Sequence, residues 1–222
     1  MFDLFGASPS QSSLAFPLSL TEKYRPRTIA EFAGLAKPKA IISKLAAHPF
    51  ESAWLFVGPS GTGKTTMAAA LAELIPAEVH HIPSQECDLA NLERIARYCQ
   101  YVPAAGKKMH LILVDEADQM TAAAQLYCLS KLDGTAKLPN TIWVFTANAS
   151  DRLQDRFLSR CKVIEFSSYG IAAEASALLE RVWDLEAPAG AARPNFQRIV
   201  KESNNNLRES LSKLELELML AA

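Results

Sequence analysis

Residues 58–65, Gly58, Pro59, Ser60, Gly61, Thr62, Gly63, Lys64 and Thr65, follow the apolar run Ala53 to Val57 and precede the alanine-rich stretch Thr66 to Leu74. The pattern GxxxxGK[ST] lets successive backbone N–H groups turn inward around phosphate oxygens at a helix N-terminus, where the helix dipole favours negative charge. In this reading Lys64 reaches the β- and γ-phosphates, the Thr65 hydroxyl is a magnesium ligand, and Thr66 completes the cradle. A strand before and a helix after are the setting this loop requires, so a nucleoside triphosphate is the expected ligand.

Two further strand ends carry polar groups toward the same chemistry, and an arginine precedes another strand. Leu111 to Val114 ends in Asp115 and Glu116, and ligands of open α/β sheets bind outside the carboxyl ends of the strands. Asp115 is placed to hold magnesium, directly or through water, and Glu116 to polarise an attacking water as general base. The string Asp115-Glu116-Ala117-Asp118 also suits a DEAD-box helicase, but two RecA-like domains need more than 222 residues. Ile142 to Thr146 delivers Ala147 and Asn148; Asn148 is either a γ-phosphate or water ligand or a turn former. Arg160, in Ser159-Arg160-Cys161, is either a solvated charge or a guanidinium that stabilises a phosphoryl group in transfer.

The elements that must position these groups follow from periodicity. Five short apolar runs, Trp54 to Val57, Glu78 to Ile82, Leu111 to Val114, Thr141 to Thr146 and Val163 to Phe166, alternate with helical stretches at Thr62 to Leu74, Leu89 to Tyr101 and Thr121 to Leu132. Strands alternating with helices predict an α/β fold, a five-stranded, mostly parallel sheet between helices. Beyond Phe166 only helical patterns continue, near Ile171 to Asp184, Asn195 to Glu202 and Leu207 to Leu220, which predicts a small all-helical domain. The expected division is an N-terminal mobile arm over 1–20, a nucleotide-binding domain over 21–167 and a helical domain over 168–222. At 49% apolar, 21% charged and net −1, the composition excludes a general nucleic-acid coater but leaves local basic contacts open. No apolar run approaches the ~20 residues that span a bilayer and the N-terminus lacks a signal-peptide pattern, so a cytoplasmic protein without a membrane partner is expected. Cys87, Cys99, Cys128 and Cys161 show no Cys-x-x-Cys spacing, and neither a zinc site nor a disulfide framework is expected.

The ordered set Glu22-Lys23-Tyr24-Arg25-Pro26, GPSGTGKT, Val114 to Asp118, Thr146-Ala147-Asn148 and Ser159-Arg160-Cys161 resembles the AAA+ P-loop ATPases. Within them it is most similar to clamp-loader subunits of the replication factor C small-subunit kind. Met120 to Gln125 looks like that family's MTxxAQ helix, and Leu207 to Leu211 like its lid segment LRxxL. The resemblance implies ATP and Mg2+ as cofactors and magnesium-dependent hydrolysis. It implies that Arg160 acts in trans as an arginine finger, that Arg208 senses the γ-phosphate in cis, and that Tyr24, Arg25 and Pro26 lie near the adenine or else pack as a loop on the core. It also implies self-association, or association with homologous AAA+ subunits, in a ring or partial ring, with a sliding clamp and DNA as partners in replication or repair. Another AAA+ remodeller at DNA, such as a helicase loader or repair-fork ATPase, and a nucleotide-gated scaffold with little turnover are the alternatives.

Departures qualify that expectation. Such subunits continue into a helical collar, whereas this sequence ends at Ala222, so a collar-bearing subunit is an expected partner. The family's basic stretch after the second strand is here the acidic Ser84 to Asp88; Arg94, Arg97, Lys107 and Lys108 remain candidate phosphate contacts. Residues 1–5 (MFDLF) and 11–16 (QSSLAF) resemble clamp-binding peptides, or tack an arm onto the domain. Leu207, Leu211, Leu214 and Leu218 form a helical stripe; Leu216, Met219 and Leu220 widen it and are expected to pack within the lid unless a partner covers them.

Overall fold

The computed structural model describes residues 18–134 and 137–221; both short N-terminal motifs lie outside these. In chain order the elements are α1 (Leu20–Lys23), α2 (Ala36–Ala47), β1 (Ser52–Val57), α3 (Lys64–Leu74), β2 (Ala77–Ile82), α4 (Leu89–Tyr98), β3 (Met109–Val114), α5 (Ala122–Leu132), β4 (Thr141–Ala147), α6 (Asp155–Leu158), β5 (Lys162–Glu165), α7 (Ala172–Glu186), α8 (Phe196–Glu202) and α9 (Leu207–Ala221), with short 3-10 turns between some of them. All five strands pair in parallel, in the order β2-β3-β4-β1-β5.

Strands buried on both faces read as continuous apolar runs, and alternation along each one decides which layer a side chain joins. In β1, Ala53 and Leu55 pack with residues of α4, α5 and α6, while Trp54 and Phe56 pack with residues of α2 and α3. The helices thus cover both faces of the sheet. A third apolar cluster joins α7, α8 and α9 through Ala175, Leu179, Val182, Trp183, Ile199, Val200, Leu211 and Leu214. Leu20 and Tyr24 belong to this helical cluster, and the backbone N–H of Leu20 donates to Glu215 Oε1 of α9 at 3.0 Å.

One element was missed and one expectation is corrected. A twelve-residue helix, α2, was not anticipated; Pro38 in its first turn reads as a breaker in sequence, but the first turn is where a helix tolerates proline. Leu216, Met219 and Leu220 do not pack within the helical domain and are 60%, 69% and 84% exposed. The helical period explains this, because Leu211, Leu214 and Leu218 already form the inward face and the other three fall on the outward one.

Candidate nucleotide site

The strand order builds the site. Because β4 lies between β1 and β3, and because Val57 is in register with Ala147 and Val114 with Phe145, the C-terminal ends of three adjacent strands fall side by side. Gly58, Asp115 and Asn148 are the residues that leave those ends. Gly58 sits where the loop passes the Phe166 backbone so closely that a Cβ would collide with its carbonyl oxygen. Gly61 has φ +77°, and the side chain of Asn206 occupies the space its Cβ would take. The loop then feeds directly into the N-terminus of α3, whose first N–H groups have no partner within the helix.

Lys64 is only 8% exposed, and its ammonium donates to Gly58 O at 2.6 Å, Pro59 O at 2.9 Å and Asn148 Oδ1 at 3.1 Å. Burial lowers its pKa, opposed first by the carboxylate of Asp118 and then by that of Asp115. Asp115 Oδ1 accepts from both Thr65 Oγ1 at 2.7 Å and Thr146 Oγ1 at 2.8 Å, and Asp115 Oδ2 lies 2.9 Å from His81 Nε2. Glu116 turns sharply out of the strand with φ +51°, a left-handed conformation uncommon for a non-glycine residue, and its N–H donates to Thr146 Oγ1 at 3.1 Å. That turn separates the two carboxylates: Asp115 stays in the hydroxyl cluster and Glu116 projects to solvent.

The donor set suits magnesium. A carboxylate and a hydroxyl, Asp115 and Thr65, are hard oxygen ligands beside a loop of backbone N–H groups, which matches an ion bound by one or two protein oxygens together with substrate phosphates.

Next to the loop, a cavity of about 450 Å³ is lined by Tyr24, Arg25, Pro26, Gly61, Thr66 and Arg208, among others. Arg25 Nε donates to Thr66 Oγ1 at 3.2 Å. The Tyr24 hydroxyl donates to Glu186 of α7, and burial followed by that hydrogen bond pushes the phenol up to about 12. Tyr24 therefore both lines the cavity and fastens the segment to the helical domain. Arg208, the second residue of α9, faces the loop across this cavity.

Two residues of the site escaped sequence reading. Asp118, 8% exposed, accepts from the Asn148 N–H at 3.3 Å and is the largest charge supporting Lys64. Asn206 bridges the helical domain to the loop, its Nδ2 donating to Ser60 O at 3.1 Å. An aspartate three residues after Asp115 and an asparagine just before Arg208 were visible, but their roles depend on tertiary contacts.

Arg160 stands apart. Its guanidinium forks onto Asp133, Nε to Oδ1 at 2.6 Å and Nη2 to Oδ2 at 3.0 Å, with Nη1 donating to Arg156 O at 2.7 Å. The hydrogen bonds to Asp133 raise the guanidinium pKa further. It lines a hollow with Ser52, Thr141 and Lys162, the first residues of β1, β4 and β5, and so lies at the end of the sheet opposite the phosphate loop.

Residues 54–169 match the model of the ATPase family associated with various cellular activities (AAA). The chain belongs to this family. Its relatives include Replication factor C small subunit 1 of Pyrobaculum arsenaticum, 33% identical over 153 residues, 66% of this chain and 46% of that protein. The Replication factor C small subunit of Thermofilum pendens is 27% identical over 203 residues, 87% of this chain and 61% of that protein. The match agrees with the clamp-loader resemblance of the motifs, although the chain spans only about half the length of these relatives. Among solved structures, the Thermotoga maritima RuvB Holliday junction branch migration motor superposes with a TM-score of 0.69 at 20% identity, covering 86% of this chain and 64% of that one, a likeness of fold.

Proposed function

We propose that this AAA ATPase hydrolyses MgATP at interfaces between neighbouring subunits of a ring or partial ring, as a clamp-loader-like motor acting on DNA in replication or repair. The observation that carries the reading is the separation of Arg160 from the phosphate loop. They sit at opposite ends of the same sheet, and a six-residue strand such as β1 spans roughly 20 Å. No arginine side chain bridges that gap, so the finger of one chain serves the phosphates of another.

The residues divide the work. The loop amides and Lys64 hold the triphosphate; Thr65 and Asp115 hold Mg2+, which when bound neutralises phosphate charge and orients the γ-phosphoryl group. Glu116 takes a proton from the attacking water, and Asn148, beside the Lys64 ammonium, orders that water or the γ-phosphate. Arg208 carries the state of the γ-phosphate to the angle of the helical domain. The similarity to replication factor C small subunits supports a sliding clamp and DNA as partners, with Arg94, Arg97, Lys107 and Lys108 exposed for phosphate contact.

Mixing two dead variants tests this reading. Arg160→Ala keeps a phosphate loop but no finger, Lys64→Ala keeps a finger but no working loop, and each alone is expected to lose about 10³-fold or more in ATPase rate. Mixed in equal amounts, with primed DNA and a sliding clamp, they regain a substantial fraction of activity by pairing intact halves. Normal hydrolysis by Arg160→Ala at saturating ATP, or a mixture as inactive as its components, overturns the proposal.

A further inference from the structure

At the end of the sheet opposite the phosphate loop, on the face covered by α4, three metal-ligating side chains converge. His80 of β2, Cys99 at the C-terminus of α4 and His110 of β3 bring one ring nitrogen of each histidine and the Cys99 Sγ all within 4.8 Å of one another. His80 Nε2 and His110 Nδ1 are 3.0 Å apart, near the roughly 3.3 Å between two nitrogens on a tetrahedral ion at ~2.0–2.1 Å. The second nitrogen of His110, Nε2, lies 3.0 Å from the backbone oxygen of Tyr101. Donation there, the outer hydrogen bond that metal-bound histidines almost always make, fixes the tautomer and leaves Nδ1 an acceptor, which takes a hydrogen bond from His80 Nε2 that an ion between the two nitrogens would replace. Glu78, in register with His110, places Oε2 3.6 Å from His110 Nδ1 and is itself held by Tyr98 Oη and the Ala104 N–H.

From this arrangement we propose that His80, Cys99 and His110 bind a transition-metal ion of the zinc class, with the fourth position left to water. Two imidazoles and a thiol suit zinc or cobalt over magnesium or calcium. On binding, Cys99 gives its proton to solvent and ligates as thiolate. His110 and Cys99 are buried while His80 is half-buried, which leaves a way in from the β2 edge of the sheet. The ion ties the end of α4 to β2 and β3 and so anchors residues 99–108, the segment that presents Lys107 and Lys108. It belongs to a different end of the molecule from the magnesium ligands.

Cobalt(II) titration of the chelator-stripped full chain, followed by displacement with zinc, is the test. The expected result is one ion per chain, with tetrahedral d–d absorption and a thiolate charge-transfer band that zinc bleaches. Cys99→Ser abolishes the charge-transfer band, and His80→Ala, at a half-buried position that leaves the core intact, weakens cobalt binding at least tenfold. Asp115→Asn, at the magnesium site, leaves the band unchanged. No thiolate band with cobalt in excess over protein, a band that survives Cys99→Ser, or binding that depends on Asp115 in place of His80 overturns the proposal. Should Cys99→Ser fail to fold, unaltered cobalt affinity in His80→Ala is sufficient to overturn it.

Discussion

Asp118 shows how a residue to which its motif gave no role governs those that have one. Lys64 loses hydration in its nearly buried position, and Asp118 is the largest charge opposing the fall in its pKa. The same carboxylate receives the N–H of Asn148, whose side chain meets the Lys64 ammonium. Removing the acceptor by Asp118→Ala is expected to lower kcat about tenfold while the ATP dissociation constant stays within a few-fold, with Asp118→Asn recovering only part of the rate because it keeps the oxygen acceptor for Asn148 and loses the charge beside Lys64. Equal losses in affinity and rate would count against this positioning role. Glu116 differs in kind: it projects to solvent, and Glu116→Gln is expected to retain ATP while single-turnover hydrolysis falls by about 10²–10⁴. Unaltered turnover in that variant would favour the scaffold alternative. At this scale the loop, Asp115 and Asn148 were legible because each leaves the end of an apolar strand. Asp118 and Asn206 were not, since nothing in their local spacing tells of contacts made across 30 and 146 residues.

Strands were the legible elements and the first helices the least. Parallel strands covered on both faces must be continuously apolar, so β1, β3 and β4 are apparent in sequence, and each has one end as expected and the other displaced by one or two residues. By contrast α2 buries only Pro38, Ile42 and Leu45, too sparse a pattern to announce twelve helical residues. The metal cluster was hidden for a topological reason: its ligands come from two parallel strands and the helix crossing between them, so no short spacing can join them. The segment from α1 to Pro26 also shows its role only in three dimensions, holding the helical domain through Leu20, Lys23 and Tyr24. Its tyrosine gives a pH prediction. The folded phenol is raised to about 12 from an ordinary value near 10, so its contribution is complete below pH 10 and is lost as pH rises from 10 toward 12. Over that window wild type should lose more stability than Tyr24→Phe in parallel denaturant titrations. Identical pH dependence in the two proteins would show that the hydroxyl contributes nothing to the hold.

For the whole molecule, the cavity beside the phosphate loop is lined by both the sheet domain and the helical domain, so nucleotide bound there should couple their stabilities. The loop contributes Gly61, Thr62, Gly63 and Thr66, and the helical side contributes Leu178, Arg181 and Arg208, with Asn206 already joined to Ser60. A ligand that binds only the folded state at 100 times its dissociation constant adds about 2.7 kcal/mol, or roughly 5–10 °C in Tm for a chain of this size. Where the stabilisation is felt distinguishes a shared site from one confined to the sheet. In wild type, MgATP should slow hydrogen exchange both in α3 and in the helical core around Val200 and Leu214. With Arg208→Ala the loop still holds phosphate, so protection in α3 should persist while that in α8 and α9 falls toward the nucleotide-free level, and the Tm gain should shrink. Protection confined to α3 in the wild-type protein would mean that the helical domain does not sense the nucleotide. Arg208 would then have no role in reporting the γ-phosphate, whatever its effect on rate.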